Sequence, residues 1–178
     1  MTRWRERASE VLRMEEVGAG WPAEIIPYRA GVIGGLAGGG AMVPIALAYG
    51  LLSGRGIWFP VNLIGATWIR ELQQAPPEAL MQFHGGALFT GLLLHGLLSI
   101  TLGILYALIL PALPGSPLLW AVIIGPLLWL AATFVILPIF NPVMARYVDW
   151  PSFALAHLAY GLIMGILVGR IPRVRAPS

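Results

Sequence analysis

The sequence contains no cysteine and no lysine, and it has no charged residue between Glu78 and Arg146. The lack of cysteine excludes disulfides, thiolate metal sites, iron–sulfur ligation and covalent haem attachment through a Cys-x-x-Cys-His motif. A soluble domain of this size would place charged side chains on its wet surface. A run of this length without charge therefore indicates burial in lipid.

The bulk composition agrees with a membrane protein, because 58% of the 178 residues are hydrophobic, 11% are charged and the mean hydropathy is +0.80. The apolar stretches predict an all-α, polytopic bundle of four transmembrane helices within residues 30–171. Between the first two crossings, the aromatic segment Gly56–Gln74 is too short to span, so we expect an outer interfacial or re-entrant helix there. The four crossings are expected at about 30–52, 79–110, 118–140 and 151–170.

Two of these crossings are expected to be irregular. At 1.5 Å per residue, a helix over 79–110 would exceed the roughly 30 Å hydrocarbon thickness, so it should tilt or project. The third crossing contains Pro126 and Pro138. A proline inside a helix removes a hydrogen bond, so we expect a kink.

Arginine placement predicts the orientation. Eight arginines lie before the first crossing or after the last, and three lie in the opposite connections. The positive-inside rule then predicts a multi-pass protein of the bacterial inner membrane with both termini cytoplasmic. Residues 1–29 would be a cytoplasmic segment, either an amphipathic helix on the membrane surface or a charged tail, and 172–178 a cytoplasmic tail. This topology accounts for the net charge of +3, so no nucleic-acid partner is expected.

The sequence predicts no catalytic residue and no metal site. The uncharged run holds no buried carboxylate or arginine, which argues against pumps, proton-coupled transporters and voltage sensors. It also lacks a nucleophile elbow, a phosphate-binding loop and a His-Glu-x-x-His motif. These patterns favour a non-enzymatic role and leave an enzyme open.

Three histidines are the remaining polar candidates. His84 and His95 would lie three helical turns apart on one face of the second crossing, and His157 would lie on the fourth at the depth of His95. Such a pair could bind a b-type haem, or it could contact a quinone or a lipid headgroup. Alternatively, each histidine hydrogen-bonds a neighbouring helix, in which case no cofactor is present.

Glycines recur every fourth residue on two crossings. This spacing lets membrane helices approach closely, so both rows predict helix-packing interfaces. Two such rows on a four-span chain would leave surface for a partner subunit. The rows are Gly31, Gly35 and Gly39 on the first crossing, and Gly161, Gly165 and Gly169 on the fourth.

Two outer segments share one pattern of Arg, a β-branched residue, an aromatic residue and Pro. Arg55–Pro60 aligns without gaps on Arg146–Pro151. The match indicates either an internal repeat or the ordinary composition of a membrane interface. In both cases we expect an outer docking surface, formed by Arg55, Trp58, Phe59, Pro60, Arg146, Trp150 and Pro151.

The run GIWFPVNLIGA, the Phe-His and Leu-His-Gly pairs of the following helix, and the later NPV…DWPSF…AYGLIMG resemble small four-span bacterial membrane proteins. We associate that type with gene neighbourhoods of respiratory electron-transfer complexes. The resemblance covers about 31–170. Its motifs have no assignable chemistry, so no functional residue is transferred, and it implies only an accessory subunit.

Taken together, these features predict a non-catalytic accessory or scaffold subunit of a larger inner-membrane complex of respiratory or photosynthetic electron transfer. Its partners would be membrane lipid and other integral-membrane subunits. One alternative is a redox subunit that contacts haem b or quinone through His95 and His157. Another is a small transporter or channel formed by oligomerisation.

Overall fold

The structure is a computed structural model that describes residues 24–175. It confirms an all-α, multi-pass fold, with four helices long and apolar enough to cross a membrane. The predicted amphipathic helix or tail at the N-terminus lies almost wholly outside the described residues, as do the last three residues of the C-terminal tail.

The elements follow one another with short connections. A 3-10 turn at Leu110–Ala112 follows the second spanning helix, and a π-helical turn at Ala132–Ile136 lies within the third crossing. In chain order the helices and strands are β1 (Glu24–Ile25), α1 (Tyr28–Leu52), α2 (Trp58–Gly65), α3 (Arg70–Gln73), α4 (Pro77–Leu80), α5 (Gly85–Ile109), α6 (Pro117–Ala131), α7 (Leu137–Phe140), α8 (Pro142–Tyr147), α9 (Trp150–Arg170) and β2 (Val174–Arg175).

The second crossing differs from the helix expected over 79–110. Helix α4 ends at Leu80, and α5 begins only at Gly85. His84 has an extended backbone, and its Nδ1 atom accepts a 3.0 Å hydrogen bond from the Ala87 amide. Two adjacent glycines disfavour helix continuation, and this cap satisfies one of the free amides at the new start. The second crossing therefore begins at Gly85 and not near Ala79. At 25 residues, or about 37 Å, α5 still exceeds the roughly 30 Å hydrocarbon thickness, so its tilt or projection stays a prediction.

The irregularity of the third crossing lies at the π-helical turn that precedes Pro138. The proline ring clashes with the carbonyl four residues earlier and lacks an amide hydrogen. The preceding turn widens, so that the Leu137 amide bonds to the Ala132 carbonyl, five residues back. Helices α6 and α7 with this turn form one crossing over Pro117–Phe140.

The spanning helices form three close seams. Helix α1 packs against both α5 and α9, and α9 also packs against α6. Within residues 24–175, α5 and α6 form no seam of comparable extent. They are joined near their connecting turn, where the Tyr106 hydroxyl donates to the Pro117 carbonyl. Strands β1 and β2 pair antiparallel, with Glu24 opposite Arg175, so both ends of the described chain meet at one end of the bundle.

The other end of the bundle is closed by the short helices. Helix α2 packs against the first turns of α5, with Gly65 against Ala87. The segment predicted as an outer interfacial or re-entrant helix is therefore packed into this end of the bundle, and we call α2 the plug. Asn62 and Asn141 are almost fully buried there. Asn62 donates to the carbonyls of Leu80 and Gln82 at 2.8 and 2.7 Å, which fixes α2 to the chain entering α5.

Asn141 joins the second half of the chain to this plug. Its side-chain oxygen caps α8 by accepting from the Met144 amide at 3.0 Å. Its amide nitrogen donates to the Leu63 carbonyl at 2.7 Å and to the Thr67 hydroxyl at 2.8 Å. Buried polar groups must be hydrogen-bonded, so these two asparagines specify how α2 docks.

Candidate functional site

The glycine row of α1 faces α5 of the same chain. A Cβ added at Gly31 would lie 2.5 Å from the Gly103 carbonyl oxygen. One added at Gly35 or Gly39 would overlap Ser99. The other edge of α1 faces α9, where a Cβ at Gly38 would lie 2.8 Å from the Tyr160 carbonyl oxygen. Helix α1 therefore lies in direct backbone contact with both neighbours.

The glycine row of α9 faces α6. A Cβ added at Gly161 or Gly165 would overlap Ala121, and one at Gly169 would lie 3.3 Å from the Pro117 side chain. All six predicted packing glycines thus face helices of the same chain. The expectation that these rows leave surface for a partner subunit is wrong, because the bundle itself uses both.

His95 is tied to the centre of the bundle. Its Nε2 atom lies 3.0 Å from the Gly39 carbonyl oxygen on α1. A carbonyl oxygen can only accept, so Nε2 carries the proton and Nδ1 of the neutral ring carries the lone pair. Next to this contact, the Tyr160 hydroxyl of α9 donates to the Ser99 carbonyl of α5 at 2.9 Å. Three helices are joined by polar contacts at this level.

His157 forms its hydrogen bond within its own helix. Its Nδ1 atom lies 2.8 Å from the Phe153 carbonyl, and the two rings meet edge to face with centroids 4.4 Å apart. The proton is therefore on Nδ1, and Nε2 carries the lone pair. Tyr160 of α9 bonds to Ser99 of α5, and each histidine lies about one helical turn before its residue in that pair, so His95 and His157 lie at a similar level of the bundle. The structure thus places at one level the two histidines that the sequence paired.

The geometry does not fit a haem held by both histidines. The Nε2 atom of His95 is engaged by Gly39, so only Nδ1 is free to act as a ligand. The backbone of α1 also fills the space between α5 and α9, where a porphyrin would have to lie. The two free lone pairs, Nδ1 of His95 and Nε2 of His157, instead suit a hydroxyl donor such as that of a quinol.

His84 does not belong to this site. It precedes α5, is exposed and caps the helix through Nδ1, so it does not share a helical face with His95 as expected. Residues 24–175 contain no group of three His, Asp or Glu side chains placed to hold a metal ion.

The predicted outer docking surface is partly internal. Phe59 and Pro60 are buried, so they cannot present a surface to a partner. Arg55 lies 4.7 Å above the Phe59 ring and donates through Nη1 to the Tyr49 hydroxyl at 3.1 Å and the Tyr147 carbonyl at 3.3 Å. The first of the two matching segments thus packs against the second. Trp58 is half-buried and meets Phe83 edge to face, whereas Arg146, Trp150 and Pro151 are exposed.

Comparison with known protein families, with curated proteins and with solved structures gives no match for this chain. The resemblance to small four-span bacterial membrane proteins therefore stays an expectation.

Several structural residues could not be identified from sequence. Tyr106 and Tyr160 bridge helices through their hydroxyls, but a tyrosine in an apolar stretch does not indicate its partner. Asn62 and Asn141 could have been identified, because an asparagine inside an apolar run must find hydrogen-bond partners. On α6 and the π-helical turn after it, two side-chain atoms are buried without a hydrogen-bond partner among the described residues: Trp129 Nε1 and Thr133 Oγ1.

Proposed function

We propose that this protein is a non-catalytic accessory subunit that packs laterally against a larger complex of the bacterial inner membrane, with both of its termini in the cytoplasm. The observation that supports the proposal is the uneven packing of the four crossings. Helix α6 has a close backbone seam with α9 alone, and α5 has one with α1 alone among the spanning helices. The third crossing is the least buried of the four inside the chain.

The uneven packing leaves α5 and α6 available to a partner on the side where they face each other. Lipid tails are as apolar as the helix surface, so no hydrophobic effect drives membrane helices together. They associate through close packing and shared hydrogen bonds. The weakly closed α5–α6 side therefore favours a partner at that side. The resemblance to four-span proteins of respiratory gene neighbourhoods supports an electron-transfer complex as the partner.

Copurification tests this proposal. Tagged protein, extracted from its native membrane in a mild detergent, should migrate with a larger complex on a native gel, and mass spectrometry should identify integral-membrane electron-transfer subunits. A protein that always migrates alone, or with copies of itself only, would contradict the proposal and favour the oligomeric transporter or channel.

A second candidate is a redox subunit that contacts quinol. The similar level of His95 and His157, each with one ring nitrogen left over by its hydrogen bond, favours it. Quinone analysis of the purified protein tests this candidate. Bound quinone in wild-type protein that disappears in both His95→Phe and His157→Phe variants would support it, and equal quinone in all three would remove it.

A further inference from the structure

An apolar groove lies between α1 and α9 at the end of the bundle that holds the short helices. Its volume is about 410 Å³, within the range of small-molecule sites, and it is open on one side. Pro44, Ile45 and Ala48 line it from α1, and Leu155 lines it from α9. In a membrane this open side faces lipid, so the natural occupant is an acyl chain.

Two polar residues also line the groove, and each is hydrogen-bonded to a charged residue. Tyr49 lines the groove, and its hydroxyl accepts from Nη1 of Arg55. Ser152 also lines it, and its amide donates to Oδ2 of Asp149 at 2.9 Å. A guanidinium and a carboxylate are therefore each one hydrogen bond away from a residue that lines the apolar groove.

Arg55 donates to the carbonyl of Tyr147, two residues before Asp149, and forms no direct ion pair with Asp149 in the described part of the chain. Hydrogen bonds from Ser152, and to a smaller extent the positive charge of Arg55, hold the pKa of Asp149 below its ordinary value. The carboxyl group is thus ionised at neutral pH. Arg55 uses Nη1 for both of its hydrogen bonds, and a guanidinium has five N–H donors in all, so it can bind a further oxygen.

We propose that this groove binds one zwitterionic phospholipid with a primary-ammonium headgroup, its phosphate at Arg55, its ammonium at Asp149 and one acyl chain between α1 and α9. An arginine suits phosphate, and a carboxylate accepts hydrogen bonds from a primary ammonium. An anionic lipid has no ammonium group for Asp149, and its net negative charge would be repelled by that carboxylate. A choline headgroup has no N–H donor for that carboxylate. The proposal is independent of the identity of any partner complex.

The test uses the full chain, purified in detergent from membranes that contain both ethanolamine and glycerol phospholipids. Headgroup analysis of the retained lipid should show several-fold enrichment of phosphatidylethanolamine over the surrounding membrane. After delipidation, mixed micelles with phosphatidylethanolamine should raise the melting temperature more than micelles with phosphatidylglycerol or phosphatidylcholine at the same mole fraction. Retained lipid that matches the bulk membrane would overturn the proposal.

Two variants test the headgroup contact and the acyl-chain groove separately. Asp149→Asn keeps the helix cap, because asparagine caps helices as well as aspartate does, but it removes the charge. Its preference for phosphatidylethanolamine over phosphatidylglycerol should disappear, and an unchanged preference would overturn the role of Asp149. Ala48→Phe fills the groove and should abolish retention of both lipids, whereas Ile33→Phe, an exposed position elsewhere on α1, should retain them. Equal retention in the Ala48 and Ile33 variants would overturn the groove as the site.

Discussion

The Nε2 atom of His95 on α5 lies 3.0 Å from the carbonyl oxygen of Gly39 on α1, at the level where Tyr160 of α9 reaches Ser99. This contact fixes which nitrogen of His95 carries the proton. It also shows why one glycine is needed, since a Cβ at position 39 would overlap Ser99 and lie 3.3 Å from the His95 ring.

The first prediction concerns this hydrogen bond. His95→Phe keeps an aromatic ring but loses the donor, so the free energy of unfolding in detergent should fall by about 0.6–2 kcal/mol. His95→Gln can still donate and should lose less. The visible spectrum of wild-type protein should show no b-type Soret band. A b-type spectrum that both His95→Ala and His157→Ala remove would contradict the structural role of the pair.

The second prediction concerns the seam between α9 and α6. Gly165→Leu places a bulky side chain against Ala121, and overpacking of a close interface costs about 1–3 kcal/mol, so the melting temperature should drop. Gly40→Leu is the matched control, because a Cβ at position 40 meets nothing within 4 Å. Thermal unfolding followed by size-exclusion chromatography measures both. Equal melting temperatures in the two variants would show that the seam is not close-packed.

The third prediction concerns the plug formed by α2. Asn62→Leu removes two donors and leaves the carbonyls of Leu80 and Gln82 without them. An unsatisfied buried acceptor costs about 1–3 kcal/mol, so the segment that enters α5 should open more often. Hydrogen exchange should then rise in 69–84 and stay unchanged in the α9–α6 seam. If exchange in both regions were unaffected, the two hydrogen bonds would not hold the plug in place.

The fourth prediction concerns orientation. The arginine distribution predicts that both ends are in the cytoplasm and that Trp58 is outside. Reporter fusions at residue 178 and within 56–74 should give cytoplasmic and external signals respectively. An external signal from the C-terminal fusion would reverse the orientation.

The fold class could be predicted because lipid burial leaves a direct mark on sequence: long apolar runs without charge. The roles of Gly31 and Gly165 as packing residues followed from spacing in the same way. Spacing could not show the partner of each row, since a glycine presents the same signal to a helix of its own chain and to another subunit. The structure assigns both rows to the chain itself.

Sequence-based expectations were least reliable where the chain turns. The start of α5 depended on a side-chain cap by His84, which an apolar run conceals. The outer aromatic residues had been expected at a docking surface, yet Phe59 is buried beneath the Arg55 guanidinium. Arginine and aromatic residues are typical both of membrane interfaces and of cation–π packing, so their composition could not separate the two.

The measurement that tests the accessory-subunit proposal most directly is photo-crosslinking from single positions in native membranes. Leu98 on α5 and Leu127 on α6 are exposed. Each lies about one helical turn from a residue that packs on the bundle core, Leu102 and Ile124 respectively. A crosslinker at either position should capture the same integral-membrane electron-transfer subunit, whereas one at the exposed Ile33 on α1 should capture only lipid or background. Equal background from all three positions would contradict the proposal that the α5–α6 side receives a partner subunit.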